Sequence, residues 1–146
     1  MAMKNKIISI KAIIDSPIER VWKNWTLPED IVKWNYASDD WYSPHAENDL
    51  RVGGKFNYRM EARDGSFGFD FTGIYESITE NEVIEYTIDD GRKVRIDFIP
   101  FENKTEIVET FEVENINSIE LQRDGWQAIL DNFKKHVEKS IKTKAL

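Results

Sequence analysis

Ile8, Ile10, Ala12 and Ile14 alternate with Ser9, Lys11 and Ile13, so residues 6 to 14 predict a β-strand with its even positions inward. Ser16-Pro17-Ile18-Glu19 then supplies a helix start, with Ser16 as cap, Pro17 at the first helical position and Glu19 completing a capping box. Val21, Trp22 and Trp25 form the apolar face of that short helix. Thr26-Leu27-Pro28-Glu29 repeats the signal and predicts a second short helix from 28 to about Trp34. Residues 36 to 50 lose all periodicity and scatter Trp41, Tyr42, Pro44 and His45 among acids. They predict a loop crossing one end of a sheet, the kind of long aromatic loop that often serves as a binding lid.

From Lys55 the period becomes two. Phe56, Tyr58, Met60 and Ala62 share one face, Asn57, Arg59, Glu61 and Arg63 the other, and Asp64-Gly65 makes a hairpin turn. Phe67, Phe69, Phe71, Gly73 and Tyr75 continue the inward row. Glu82 to Asp89 and Arg92 to Phe101 form a second hairpin about Asp90-Gly91, with Ile84, Tyr86, Val94, Ile96 and Phe98 facing in, and residues 104 to 114 add a further strand. Asn117-Ser118-Ile119-Glu120 opens a last helix running to about Lys139, whose Leu121, Trp126, Ile129, Leu130, Phe133 and Val137 recur at spacings of three and four. The order is one strand, two short helices, about five more antiparallel strands and a long helix, an α+β layer architecture with about six strands.

Composition narrows what such a fold can be for. A chain of 146 residues, 40% hydrophobic and 32% charged, suits one domain over residues 1-146 and a single core. The net charge is -7, with Lys and Arg gathered only in short C-terminal stretches (Lys134-Lys135, Lys139 to Lys144), so nucleic acid and anionic membrane surfaces are poor partners. The alternating lysines and isoleucines from Lys4 to Ile14 lack a signal peptide's unbroken apolar stretch, and no apolar run reaches the length of a membrane span. Cytosol is the expected address. The chain has no cysteine, which excludes disulfides, thiol nucleophiles and thiolate metal sites.

Pro17 to Trp25 with its Val-Trp pair, Trp34, the turn Asp49-Leu50-Arg51-Val52-Gly53-Gly54, the strand Gly73-Ile74-Tyr75-Glu76 and the helical Gly125-Trp126 resemble the SRPBCC (START-like, helix-grip) superfamily over nearly the whole chain. Within it they look most like the branch related to the C-terminal domain of the heat-shock chaperone ATPase activator. The resemblance implies a curved sheet gripping the C-terminal helix around a hydrophobic cavity. It also implies the range of functions found among relatives: bacterial single-domain members without assigned activity, binders of lipids, hormones or polyketides, and some that cyclise or hydrate their ligands. The resemblance does not extend to the chaperone activator's separate N-terminal domain, so a co-chaperone role is the less expected one.

The inward aromatic row either lines an apolar pocket of roughly 300 to 1,000 Å³ or fills a close-packed core. With the resemblance, the pocket is the favoured reading, and Trp41, Tyr58, Phe69, Phe71, Tyr86, Glu109 and Trp126 are the expected ligand contacts. Glu109 is the anomaly, sitting among Ile107, Phe111 and Val113 on the apparent inward face. Facing in, it is desolvated, with a raised pKa and a capacity for acid-base work; a register slip or bulge instead turns it out to join Glu106 and Glu112. His45, in the expected lid, is the other candidate for proton transfer, while His136 adds positive charge near the last helix's C-terminus. No zinc or calcium-loop spacing occurs, so no metal or cofactor is expected.

Gly53-Gly54-Lys55 lacks the first glycine and the Ser or Thr of a phosphate loop, and Gly65-Ser66-Phe67-Gly68 is no nucleophile elbow; both are turns. Arg59, Glu61, Arg63, Arg95 and Asp97 are expected to pair across strands on the solvated face. Gly125, unfavourable inside a helix, implies close helix packing or room for a ligand. The expected function is non-catalytic carriage or sensing of a small hydrophobic or aromatic molecule. The alternatives are a cyclase, aromatase or hydratase using Glu109 or His45, and a module that activates a chaperone ATPase. Exposed sheet edges permit a homodimer.

Overall fold

The period-two rows of the sequence pair edge to edge into a single antiparallel sheet. The computed structural model describes residues 6–145, with side chains through Lys139; the start of the stretch at Lys4 and the basic side chains of 140–144 lie outside the described residues. The elements are β1 (Ile7–Ile14), α1 (Ile18–Thr26), α2 (Pro28–Trp34), β2 (Trp41–Asn48), β3 (Lys55–Ala62), β4 (Gly68–Thr79), β5 (Val83–Ile88), β6 (Lys93–Phe101), β7 (Lys104–Glu112) and α3 (Ile119–Ala145). Strand order is β1-β7-β6-β5-β4-β3-β2, so the first strand crosses to pair with the last while the others follow as a meander. The sheet curls into a half-barrel with α3 in its grip.

Even positions of β1 are buried and odd ones exposed, as the alternation predicts. Gly65 and Gly91, at φ +78° and +93°, make the two tight turns that Asp64-Gly65 and Asp90-Gly91 foretold. The core gathers under the concave face, where Trp25 and Trp34 each meet Phe133 of α3 edge-on, with centroids 4.8 and 4.9 Å apart.

Several expectations are corrected. There are seven strands, because the supposed loop 36 to 50 contains β2, paired with β3 from Trp41↔Ala62 to Asn48↔Phe56. A bulge between Tyr42 and His45, with Pro44 inside it, breaks the alternation that reveals a strand, and an edge position tolerates the missing N–H. Phe67 lies in the turn before β4 and is 62% exposed rather than inward. Neither Ser16 nor Thr26 caps a helix. α1 is entered through Pro17 without a side-chain cap, and the Thr26 hydroxyl instead donates to Trp22 O at 2.8 Å. Ser118 does cap α3, accepting from Leu121 N at 3.1 Å. Leu121, counted on the apolar face, is 59% exposed in the first turn, before the helix reaches the sheet.

Candidate ligand cavity

α3 rests on β1 and touches α1 and α2, and α2 packs on β2 at the other margin of the curl. α1 touches β6 and β7, so the helices cover the β1-β7-β6 side and the β2 edge of the half-barrel. The middle strands β3, β4 and β5 have no helix pressed against them, and long aromatic side chains must span the gap.

They span it incompletely, leaving a cavity of about 240 Å³. The helical side contributes Trp25, Trp34, Asn35, Trp126 and Ile129. The sheet contributes Tyr58 and Met60 from β3, Phe69, Phe71 and Tyr75 from β4, Ile84 and Tyr86 from β5 and Glu109 from β7, with Arg92 from the β5–β6 turn. The volume is below the expected pocket range and suits a ring-sized molecule of roughly ten heavy atoms, since a dry site of about 150 Å³ already takes benzene. Trp126 is fixed by stacking on Phe111, centroids 4.0 Å apart and planes 11° apart, and presents its edge to Phe71 at 6.1 Å.

Six of the seven expected contacts, Tyr58, Phe69, Phe71, Tyr86, Glu109 and Trp126, lie on this wall. Trp41 does not; it rests edge-on against Phe67 and Phe69 at the end of the β3–β4 hairpin, about 6 Å from each. The lid reading fails with the loop that carried it. His45 is exposed on the outer side of β2, 2.9 Å from Glu47, and is remote from the cavity lining. His136 stands well inside α3, 3.5 Å from Asp30, and burial lowers its pKa, so it does not serve as a charge at the helix end. Trp34, Asn35 and Arg92 belong to the wall without having been singled out. For Asn35 the signal was its place directly after a helix whose Trp34 points inward. For Arg92 it was a position beside a tight turn at the head of an inward-facing strand.

The polar groups of the wall differ sharply in how well they are matched. The Tyr58 and Tyr75 hydroxyls interact. Tyr75 donates to Asn48 Oδ1 at 2.5 Å, and Asn48 Nδ2 to Thr26 O at 2.7 Å, so this relay is satisfied end to end. Arg92 Nε donates to Asp90 Oδ2 at 2.8 Å. Glu109, opposite Ile10 of β1 and Ile96 of β6, is 6% exposed and faces inward. That removes the outward alternative. Among the described residues its carboxyl has no hydrogen bond or ion pair, and burial alone pushes its pKa up to about 8. Burial also holds the Tyr86 hydroxyl well above its ordinary range, with the nearby Glu109 adding to the effect and Arg92 opposing it. On the outer face Arg59 pairs with Glu61 at 3.0 Å and Asp70 at 3.6 Å, and Arg95 with Asp97 at 3.0 Å and Glu85 at 3.6 Å. Arg63 instead lies over the Tyr42 ring, 5.2 Å from its centroid. No helix among the described residues is long and apolar enough to cross a membrane.

A half-barrel sheet gripping a terminal helix defines the class first, the helix-grip proteins of SRPBCC type. Residues 15–138 match the family model described as Activator of Hsp90 ATPase homolog 1-like protein, and the chain belongs to that family. It is similar to the AHSA1-like protein of Aeromonas hydrophila, whose solution structure is 43% identical over 92% of this chain and 94% of that one, with a TM-score of 0.88. The protein Chr148 of Cytophaga hutchinsonii is 48% identical over the same shares, with a TM-score of 0.79. NE0264 of Nitrosomonas europaea, at 19% identity over 92% and 95%, has a TM-score of 0.79 and shares the fold. No protein of curated function matches the chain.

Proposed function

We propose that this protein is a non-catalytic carrier or sensor of a small hydrophobic or aromatic molecule, held between the middle strands and α3. The observation that supports it is a cavity of about 240 Å³ in which eight of fourteen wall residues are Trp, Tyr or Phe, at the place where the helices stand off from the sheet. A core selected only for stability closes such spaces, since voids forfeit contacts on every side.

Native mass spectrometry of the protein as purified tests the reading, with incubation in a library of one- and two-ring compounds as its second arm. A bound mass that is lost on denaturation, and that Phe71→Ala and Tyr86→Ala both weaken at least tenfold, is the expected result. An adduct-free mass in both arms, or binding indifferent to both substitutions, overturns it.

One observation favours a second reading. Glu109 holds a proton up to about pH 8 inside the cavity, the condition for a general acid in cyclase- or hydratase-type chemistry. Turnover of the retained molecule that disappears in Glu109→Gln would place the protein there. The family's name also suggests stimulation of a chaperone ATPase. A rise in chaperone turnover on adding the purified protein is the corresponding assay.

A further inference from the structure

Two buried polar groups on the cavity wall lack partners, and together they describe a ligand. Asn35, at the C-terminal end of α2, is 6% exposed, and its Nδ2 has no acceptor. Glu109, equally buried on β7, has no hydrogen bond or ion pair among the described residues. Native interiors pair nearly all such groups, because an unmatched one forfeits its hydration without return. Both stand on the wall of the same cavity, where a guest molecule would supply the match.

The rest of the wall says what charge the guest carries. β1 and β6 present Ile10 and Ile96 beside Glu109, and α3 presents Trp126 and Ile129. The titratable or charged groups on the other elements are Tyr58, Tyr75, Tyr86 and Arg92. The three tyrosines are neutral, and the Arg92 guanidinium is already engaged by Asp90. With Glu109 protonated at neutral pH and the Arg92 charge balanced by Asp90, the wall carries no net charge to favour an ion of either sign. An ionised guest would lose its hydration and meet only a charge that is already paired.

Resting on the carrier or sensor reading above, we propose that the cavity selects uncharged ring compounds bearing two separated polar groups, an oxygen that accepts from Asn35 Nδ2 and a hydroxyl or carbonyl that pairs with the Glu109 carboxyl. The ring occupies the aromatic wall between Phe71, Tyr86 and Trp126. Arg92 and the Tyr58–Tyr75–Asn48 relay hold the wall and leave the two recognition points to Asn35 and Glu109.

Isothermal titration with four matched probes tests this: 4-(hydroxymethyl)acetophenone, which carries both polar groups; p-cymene, which carries neither; and the ions 4-isopropylbenzoate and 4-isopropylbenzylammonium. The neutral polar probe is expected to bind at least tenfold tighter than either ion. Asn35→Leu and Glu109→Leu should each weaken it about tenfold while leaving p-cymene within twofold. Glu109→Gln, which keeps a neutral donor and acceptor, should retain its binding. It should also abolish the change in binding expected of the native protein around pH 8, where Glu109 ionises. Tightest binding by the ammonium probe, lost in Glu109→Gln, overturns the inference in favour of an ion pair. Polar-probe affinity unchanged in both leucine variants also overturns it. If p-cymene binds and only the polar discrimination fails, the carrier reading survives; if no probe binds, p-cymene included, both fall.

Discussion

Glu109 shows how one buried atom group sets a property of the folded state. Its carboxyl has a pKa of about 8 in the fold against an ordinary 4.5. Between those values the folded chain holds a proton that the unfolded chain releases, so stability falls as pH rises through that window and is level on either side of it. The loss attached to this one residue is on the order of 5 kcal/mol. Glu109→Gln, which never ionises, should match the native protein below about pH 4.5 and exceed it at pH 8 to 9. Urea unfolding of the two proteins at pH 5, 7 and 9 measures the difference directly, because the other acids are common to both. Parallel stability curves would mean that Glu109 reaches water or a partner in the folded protein.

At the scale of elements, what was legible depended on whether a local pattern survived its surroundings. β1 and β3 keep strict alternation, and β5, β6 and β7 keep it over part of their length, because one face meets the core and the other water, and α3 keeps its three-and-four spacing for the same reason. β2 lost the pattern to its bulge and Pro44, so an edge strand resembled a lid and Trp41 was placed at a cavity it does not touch. Glu109 was legible because periodicity alone placed it among inward residues. Asn35 and Arg92 were not, since each stands at an element's end, where side-chain direction follows from tertiary packing. The two glycines most open to misreading differ in the same way. A Cβ on Gly73 of β4 would lie 2.5 Å from Phe56 Cε2 and 2.9 Å from Thr87 O, whereas a Cβ on Gly125 of α3 meets nothing within 4 Å. Close packing therefore does not explain Gly125. Gly73→Ala should destabilise by about 1–3 kcal/mol through that clash, and Gly125→Ala should stabilise by about 1 kcal/mol through helix propensity. Thermal unfolding decides both, and a loss at Gly125 would point to a neighbour that approaches it only in solution.

For the whole molecule, the question is whether the space between half-barrel and helix is a defect of packing or the purpose of the fold, and one substitution makes the two answers differ in sign. Ile129 lines the cavity from α3. Ile129→Phe adds three carbons there, worth roughly 0.8 kcal/mol each when buried in vacant space. If the cavity is open, stability should rise by about 1–2 kcal/mol, a gain in Tm of roughly 3–6 °C for a chain of this size. If the interior is already full, the same ring overpacks it and costs about 1–3 kcal/mol. Retention of a destabilising vacancy makes sense only where emptiness serves function, since proteins commonly forgo stability at sites that must receive a guest. The variant should accordingly melt higher and bind worse. A ring compound at a hundred times its Kd stabilises the native protein by about 2.7 kcal/mol, and that ligand-induced rise in Tm should vanish in Ile129→Phe. A higher Tm with undiminished binding would move the ligand to another surface, and a lower Tm would return the aromatic row to the core.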